Sequence, residues 1–392
     1  MKKTLLLQTA LVAAAGMMLA DVANAQTKAQ PLAVTVGGYM TQFFKMQDRD
    51  DSQVDQHATG FATDGEIWFN IRGVLDNGTV VGGRVELEAG TYGDQIDERY
   101  LFLERNDIGR VELGSTDRVS AKMNYFAPAV LPGHSTTTQS EYTAAVNTPQ
   151  MWFGNNNNDA EGINVYTSAN RYFGSKAGKG LQLGFSYVPD GCQDFGTGAA
   201  GSSLAATAGC GGGFGSTVNT GQLSNQYNVA ANYLESFGAV DVALYAGWNS
   251  VRREATAQGR MDGWQVGTQL AYNLGDGAAI QVGGGYAEED VQKAVAGTGG
   301  QERQNYSVGV RYLTNGSRPG SIGVGVEYFG REDEVPTTGA TTELEYYQLG
   351  VTYQLATGVL TFAGVGVSDQ DNPGATADVE QTFGVVGIGL SF

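Results

Sequence analysis

Two histidines, His57 and His134, stand in 392 residues, and no H-x-x-x-H pair occurs. Zinc centres draw their ligands from closely spaced His and Cys, so these residues give no support to one. No G-x-S-x-G elbow presents a nucleophile. Residues 174–180 imitate a phosphate loop, but Gly180 occupies the place where Ser or Thr must reach Mg²⁺, and no helical pattern follows. The chain therefore offers no catalytic residue. Cys192 and Cys210 lie 18 positions apart in one Gly-rich segment. The remaining chemistry is charge: Asp+Glu 41 against Lys+Arg 23, a net charge of -18. That acidity argues against a nucleic-acid partner, which needs a basic footprint.

Residues of these kinds must be carried on regular elements, and the composition restricts which. Glycine numbers 58, about twice its usual share, yet no Gly-X-Y period is present. The 19 Tyr, 16 Phe and 4 Trp run along almost the whole chain, which disfavours disorder. At the start, Lys2 and Lys3 precede an apolar stretch at 5–20, followed by Ala23-Asn24-Ala25. That order is read as a cleaved signal peptide over 1–25, with a membrane-anchoring helix as the alternative. Loss of two Lys and one Asp would leave residues 26–392 with a net charge of -19. Export permits a disulfide between Cys192 and Cys210, which is expected; two free thiols are the alternative.

The rest of the chain repeats in a period of two. Tyr306, Val308, Val310 and Tyr312 alternate with Asn305, Ser307, Gly309 and Arg311; Ile322, Val324, Val326 and Tyr328 alternate with Ser321, Gly323, Gly325 and Glu327. Each such run predicts a strand with one apolar face and one polar or very small face. Sixteen such segments can be marked, and no helical stretch matches them in strength. Their connections alternate between tight turns, such as Asp76-Asn77-Gly78, and long polar segments at 46–64, 117–160, 190–224, 252–261, 290–301, 332–342 and 370–379. Short-long parity of this kind is that of an antiparallel transmembrane barrel with short periplasmic turns and long outer loops. The last segment ends Val386, Ile388, Leu390, Phe392 on one face, a bare apolar edge unless the barrel closes on it.

Residues 98–103 (ERYLFL) and 107–115 (DIGRVELGS) resemble the fourth and fifth strands of the general Gram-negative porins. Residues 164–168 (NVYTS) are similar to the strand after those proteins' pore-constricting loop, and Phe392 resembles their assembly signal. The resemblance implies an all-β fold: a sixteen-stranded transmembrane β-barrel with an inward-folded third loop, here 117–160. It implies a homotrimer in the outer membrane of a Gram-negative bacterium, letting ions and small hydrophilic solutes diffuse passively. The alternative for 117–160 is an outer flap. Family porins set a basic cluster on the barrel wall opposite acids on the loop. Strand parity turns Arg72 and Arg84 inward; the resemblance adds Arg99, with Asp117 and Glu141 as the loop acids. For each of these, a merely solvated lumen charge is the alternative.

No cofactor is expected; the acidic outer segments 48–55 and 288–290 are candidates for a structural Ca²⁺ or for bridging to lipopolysaccharide through divalent ions, since clustered carboxylates suit hard cations, and a merely solvated acidic rim is the favoured alternative. Other functions remain distinguishable. Lumen aromatics such as Trp68 and Tyr346 would serve a solute-specific porin, an outer-membrane enzyme would need His57 or His134, and an adhesin would bind surfaces without conducting ions.

Overall fold

The computed structural model of the chain describes residues 29–50, 58–89, 96–132, 151, 161–167, 178–190, 223–253, 260–291, 301–316, 318–335, 339–373 and 378–392. Residues 1–28, which include the expected signal peptide, and both histidines, Glu141, Cys192 and Cys210 lie outside them. Sixteen strands follow in order: β1 (Gln30–Asp50), β2 (Thr59–Val74), β3 (Val80–Glu88), β4 (Arg99–Arg105), β5 (Gly109–Ser115), β6 (Glu161–Thr167), β7 (Gly180–Asp190), β8 (Leu223–Phe237), β9 (Val240–Arg253), β10 (Arg260–Gly275), β11 (Ala278–Val291), β12 (Gln301–Leu313), β13 (Ile322–Val335), β14 (Ala340–Ala356), β15 (Val359–Asp371) and β16 (Val379–Ser391). Each pairs antiparallel with its sequence neighbours, and β1 pairs with β16 to close the ring.

Alternation sets the two faces. Val34, Val36, Leu101, Val308 and Val386 stand exposed on the outer surface, where lipid replaces a protein core. The inward parity carries Gly, Ser, Asn and charged residues. Tight turns close one end; at Asn77–Gly78 the Leu75 amide donates to the Thr79 carbonyl at 2.8 Å, and Gly78 takes a φ of 80°, where glycine is favoured.

One expectation needs correcting. Segments 46–64 and 332–342 are not wholly connections, because β1, β2, β13 and β14 run on into them. The alternation continues there with carboxylates such as Glu332, Glu334 and Glu343 outward. A ladder outside the lipid needs paired backbone, not apolar side chains. A one-turn helix, α1 (Val119–Lys122), stands between β5 and β6. The chain's buried core also lies inside the barrel. Val119, Met123, Phe126 and Met151 pack there on Tyr166, Tyr245, Phe329, Tyr346 and Phe383 of the wall.

Candidate functional site

The segment after β5 enters the lumen because the wall is shaped to receive it. Inward glycines stand at Gly184, Gly267, Gly285, Gly309, Gly325, Gly350 and Gly364 on seven different strands. A Cβ at Gly184 would strike Val119 and Met123, at Gly285 Phe126, and at Gly350 Val130 and Leu131. The glycines form a track along which residues 119–131 lie. Polar contacts fix the start of that path. The Val119 amide donates to Ser186 Oγ at 2.9 Å, Ser120 Oγ to Asn228 Oδ1 at 2.8 Å, and Tyr245 Oη to the Ser120 carbonyl at 2.7 Å.

The loop's root is charged. Lys122 Nζ lies 3.4 Å from Glu112 Oε2 and 3.8 Å from Glu98 Oε1. Glu98 also accepts from Thr116 Oγ1 at 2.6 Å and from the Asp117 amide at 2.9 Å. Glu112, almost wholly buried, accepts from Arg110, Asn164 and Tyr166. Such a charge is tolerable only with partners of this kind. On the loop, Asp117 is pushed up to about 7, first by burial and then by Glu98, against the pull of Lys122 and Arg118.

Beside this root, β2 and β3 present a carboxylate wall. Trp68 Nε1 donates to Glu66, and Tyr39 Oη donates to Asp64 at 3.1 Å and Glu66 at 3.2 Å. Carboxylate oxygens of Glu66, Glu86 and Asp97 lie within 4.8 Å of one another. Arg84 forms an ion pair with Glu86, and its guanidinium carbon sits 4.4 Å from the Trp68 ring centroid.

A family model for Gram-negative porins matches residues 9–373. The chain belongs to the Gram-negative porin family. It is an outer-membrane channel for passive diffusion. Compared by sequence with curated proteins, the porin matches none. Among solved structures it is similar to the anion-selective porin from Comamonas acidovorans, at 16% identity and TM-score 0.59, covering 92% of this chain and 100% of that one. It is similar also to Salmonella typhi OmpF in complex with daunomycin, at 14% identity and TM-score 0.60, covering 92% and 97%. The trimer form of Vibrio cholerae OmpT aligns at 16% identity and TM-score 0.56, covering 92% and 100%. At these identities the likeness is one of fold.

Four of the five expected constriction residues of this porin are described, and they do not form one cluster. Arg84 faces the lumen beside the loop root and Asp117 lies in that root. Arg72 also faces the lumen, but two residues from the end of β2. Arg99 does not face it. Its register partners, Val85 and Ser115, share the outward parity of Leu101 and Leu113, and its Nε lies 3.3 Å from Glu161 Oε1. Residues 100–103 are apolar on both faces, so the sequence alone left that direction open. Tyr100 and Phe102 face inward because cations cover their rings, Lys122 at 4.7 Å and Arg110 at 3.9 Å from the centroids. Glu141 lies outside the described residues. Sequence reasoning missed Glu66, Glu98, Glu112 and Lys122; the last two could have been found as inward-parity or loop charges adjoining β5.

Proposed function

We propose that this porin passes ions and small hydrophilic solutes without a dedicated binding site and prefers cations at its narrowest section. The supporting observation is the carboxylate wall: Asp64, Glu66, Glu86 and Asp97, with Glu98 and Asp117 at the loop root, against Arg84 and Lys122. Rings of fixed charge sort ions by sign, and the charges nearest the path outweigh the net charge of the chain. Asp117, Arg84 and the loop 117–160 carry the constriction in this reading. Among the described residues the wall brings Asp64, Glu66 and Glu86 beside Arg84, and the start of the loop brings Asp117 with Arg118 and Lys122. A reversal potential of cation sign in a KCl gradient supports the reading; anion selectivity refutes it.

A solute-specific pore has less support. Trp68's face is occupied by Arg84, and Tyr346 is fully buried, stacked on Phe383 at 5.6 Å and donating to Gln348 Oε1 at 2.8 Å. Neither is presented as a sliding surface. The fold and family are those of a channel rather than an enzyme. A homotrimer is proposed on the trimer form of a structural neighbour, and unboiled against boiled gel mobility tests it. Cleavage after Ala25 is tested by the mass of the mature chain. A structural Ca²⁺ at the outer carboxylates would show as heat stability lost to chelation.

A further inference from the structure

A cavity of about 320 Å³ lies between the turn that joins β4 to β5 and the helical turn α1, lined by Glu104, Arg110, Lys122, Met123, Tyr166 and Gln182 among others. That volume is at the small end of ligand sites. The β4–β5 turn is one of the short connections, so the cavity lies on the periplasmic side of the loop. Its back is fixed. The buried Met123 has its carbonyl held by Asn232 Nδ2 at 3.3 Å, and the Tyr166 hydroxyl donates to Glu112 at 3.2 Å. The cavity shares no residue with the carboxylate group Glu66, Glu86 and Asp97.

Charge in the cavity is paired and yet not used up. Arg110 donates to Glu112 through Nε at 2.8 Å and to Glu104 through Nη1 at 2.9 Å, and its guanidinium carbon lies 3.9 Å from the Phe102 centroid. Among the described residues this leaves Arg110 Nη2, the second Glu104 oxygen and the Gln182 amide without a hydrogen-bond partner. Arg105, nine-tenths buried, also lines the cavity. It holds Asp107 through Nε at 3.0 Å and Nη2 at 2.8 Å, while its Nη1 is buried with no acceptor among the described residues. A buried donor left unpaired is costly, and a carboxylate oxygen brought within its reach removes that cost. A plain anion would find each cation already held by a carboxylate, and a plain cation would find each carboxylate already held. A solute of both signs adds one bond to each member of a pair and leaves the balance unchanged.

We propose that this cavity binds a small zwitterion of amino-acid or dipeptide size from the periplasmic side, with its carboxylate on Arg110 and its ammonium on Glu104. Gln182 takes the peptide group, and the solute's side chain rests on Met123 and Tyr166. The site goes beyond the channel function, because permeating ions do not need it and its occupation requires no current. A solute seated there touches Lys122 and Met123 at the end of α1, and so braces the loop from the periplasmic side.

Binding would be measured by isothermal titration of the folded full chain in detergent at neutral pH, with alanyl-alanine as the probe. Two blocked forms are compared with it: N-acetyl-alanyl-alanine, which keeps only the carboxylate, and alanyl-alanine amide, which keeps only the ammonium. The zwitterion should bind saturably and each blocked form about tenfold more weakly, the loss expected for one charge-assisted hydrogen bond. Glu104→Gln should weaken the zwitterion about tenfold and bring the acetylated form to at least equal affinity, because Arg110 then lacks one carboxylate. A merely structural role for Glu104 would weaken all three probes together. Gln182→Leu keeps every charge and should weaken the three probes alike, several-fold. Heat-modifiable gel mobility certifies the folding of each variant. No saturable binding of the zwitterion, equal affinity for the three probes, an unchanged ranking in Glu104→Gln or unchanged affinity in Gln182→Leu overturns the proposal. A chain that binds the zwitterion but conducts no ions would refute the channel function and leave the site standing.

Discussion

Lys122, at the end of the loop's only described helical turn, reaches Glu112 on the barrel wall at 3.4 Å. This contact ties the segment that narrows the lumen to β5, the strand from which it departs. Lys122→Met should remove the tie and leave Glu112 with Arg110 alone among cations. Given the partial exposure of Lys122, the cost to loop seating is about 1–3 kcal/mol. The barrel should still assemble, and single-channel traces should show more open-state noise than wild type. Unchanged noise would mean that the glycine track alone holds the loop.

The track itself is testable. Gly285→Val places methyl groups where Phe126 packs, an overpacking cost of about 1–3 kcal/mol. The loop, not the closed ladder, should yield, so conductance should rise with heat stability little changed. At Gly384 an added Cβ meets Met46 Cε at 3.4 Å and the Gly364 carbonyl oxygen at 4.0 Å, both tolerable, so Gly384→Ala should match wild type in both measurements. Equal conductance in the two variants would contradict the seating described.

Proton uptake by Asp117 gives a pH dependence. Its folded-state value of about 7 lies above the ordinary 3.8. The ionised carboxyl therefore weakens loop docking: the cost is absent below about pH 4 and full above about pH 7. Acidification from pH 8 to pH 5 should also remove one negative charge from the group that includes Glu98, Asp97, Lys122 and Arg118. Cation preference should fall across that range, and by a smaller amount in Asp117→Asn. Identical pH profiles in the two proteins would remove Asp117 from the account.

Phe392 closes the seam. Its amide donates to the Gly38 carbonyl at 3.1 Å, and the Gly38 amide donates to the Phe392 carbonyl at 3.0 Å, while its side chain stays 68% exposed on the outer surface. Deleting Phe392 removes both bonds and an apolar anchor. The yield of folded, heat-modifiable protein should drop several-fold, with normal conductance in those molecules that insert. A normal yield after deletion would refute the assembly role expected of this residue.

Strand number, closure and the inward turn of Arg72 and Arg84 were legible in the sequence because alternation over a closed ladder ties each residue's face to its parity. The direction of Arg99 was not legible. On β4 the inward face is aromatic, and only tertiary contacts with Lys122 and Arg110 show those rings to be covered by charge. The outer strand extensions were hidden because polar residues on both faces read as loop. The seat of the loop left a trace that went unused: consecutive strands with Gly on the inward parity, as at Gly309, Gly325, Gly350 and Gly364, announce a wall that something covers. The helical turn at 119–122 is too short to produce a periodic signal.

The central claim is an open, water-filled pore whose narrowest section is bordered by wall carboxylates. Single-channel recording under a tenfold KCl gradient at neutral pH tests it most directly. The account predicts an ohmic opening in high salt and a reversal potential that leaves the dilute compartment positive, the sign of cation preference. A reversal potential of the opposite sign, or no ion conduction by correctly folded protein, would contradict it.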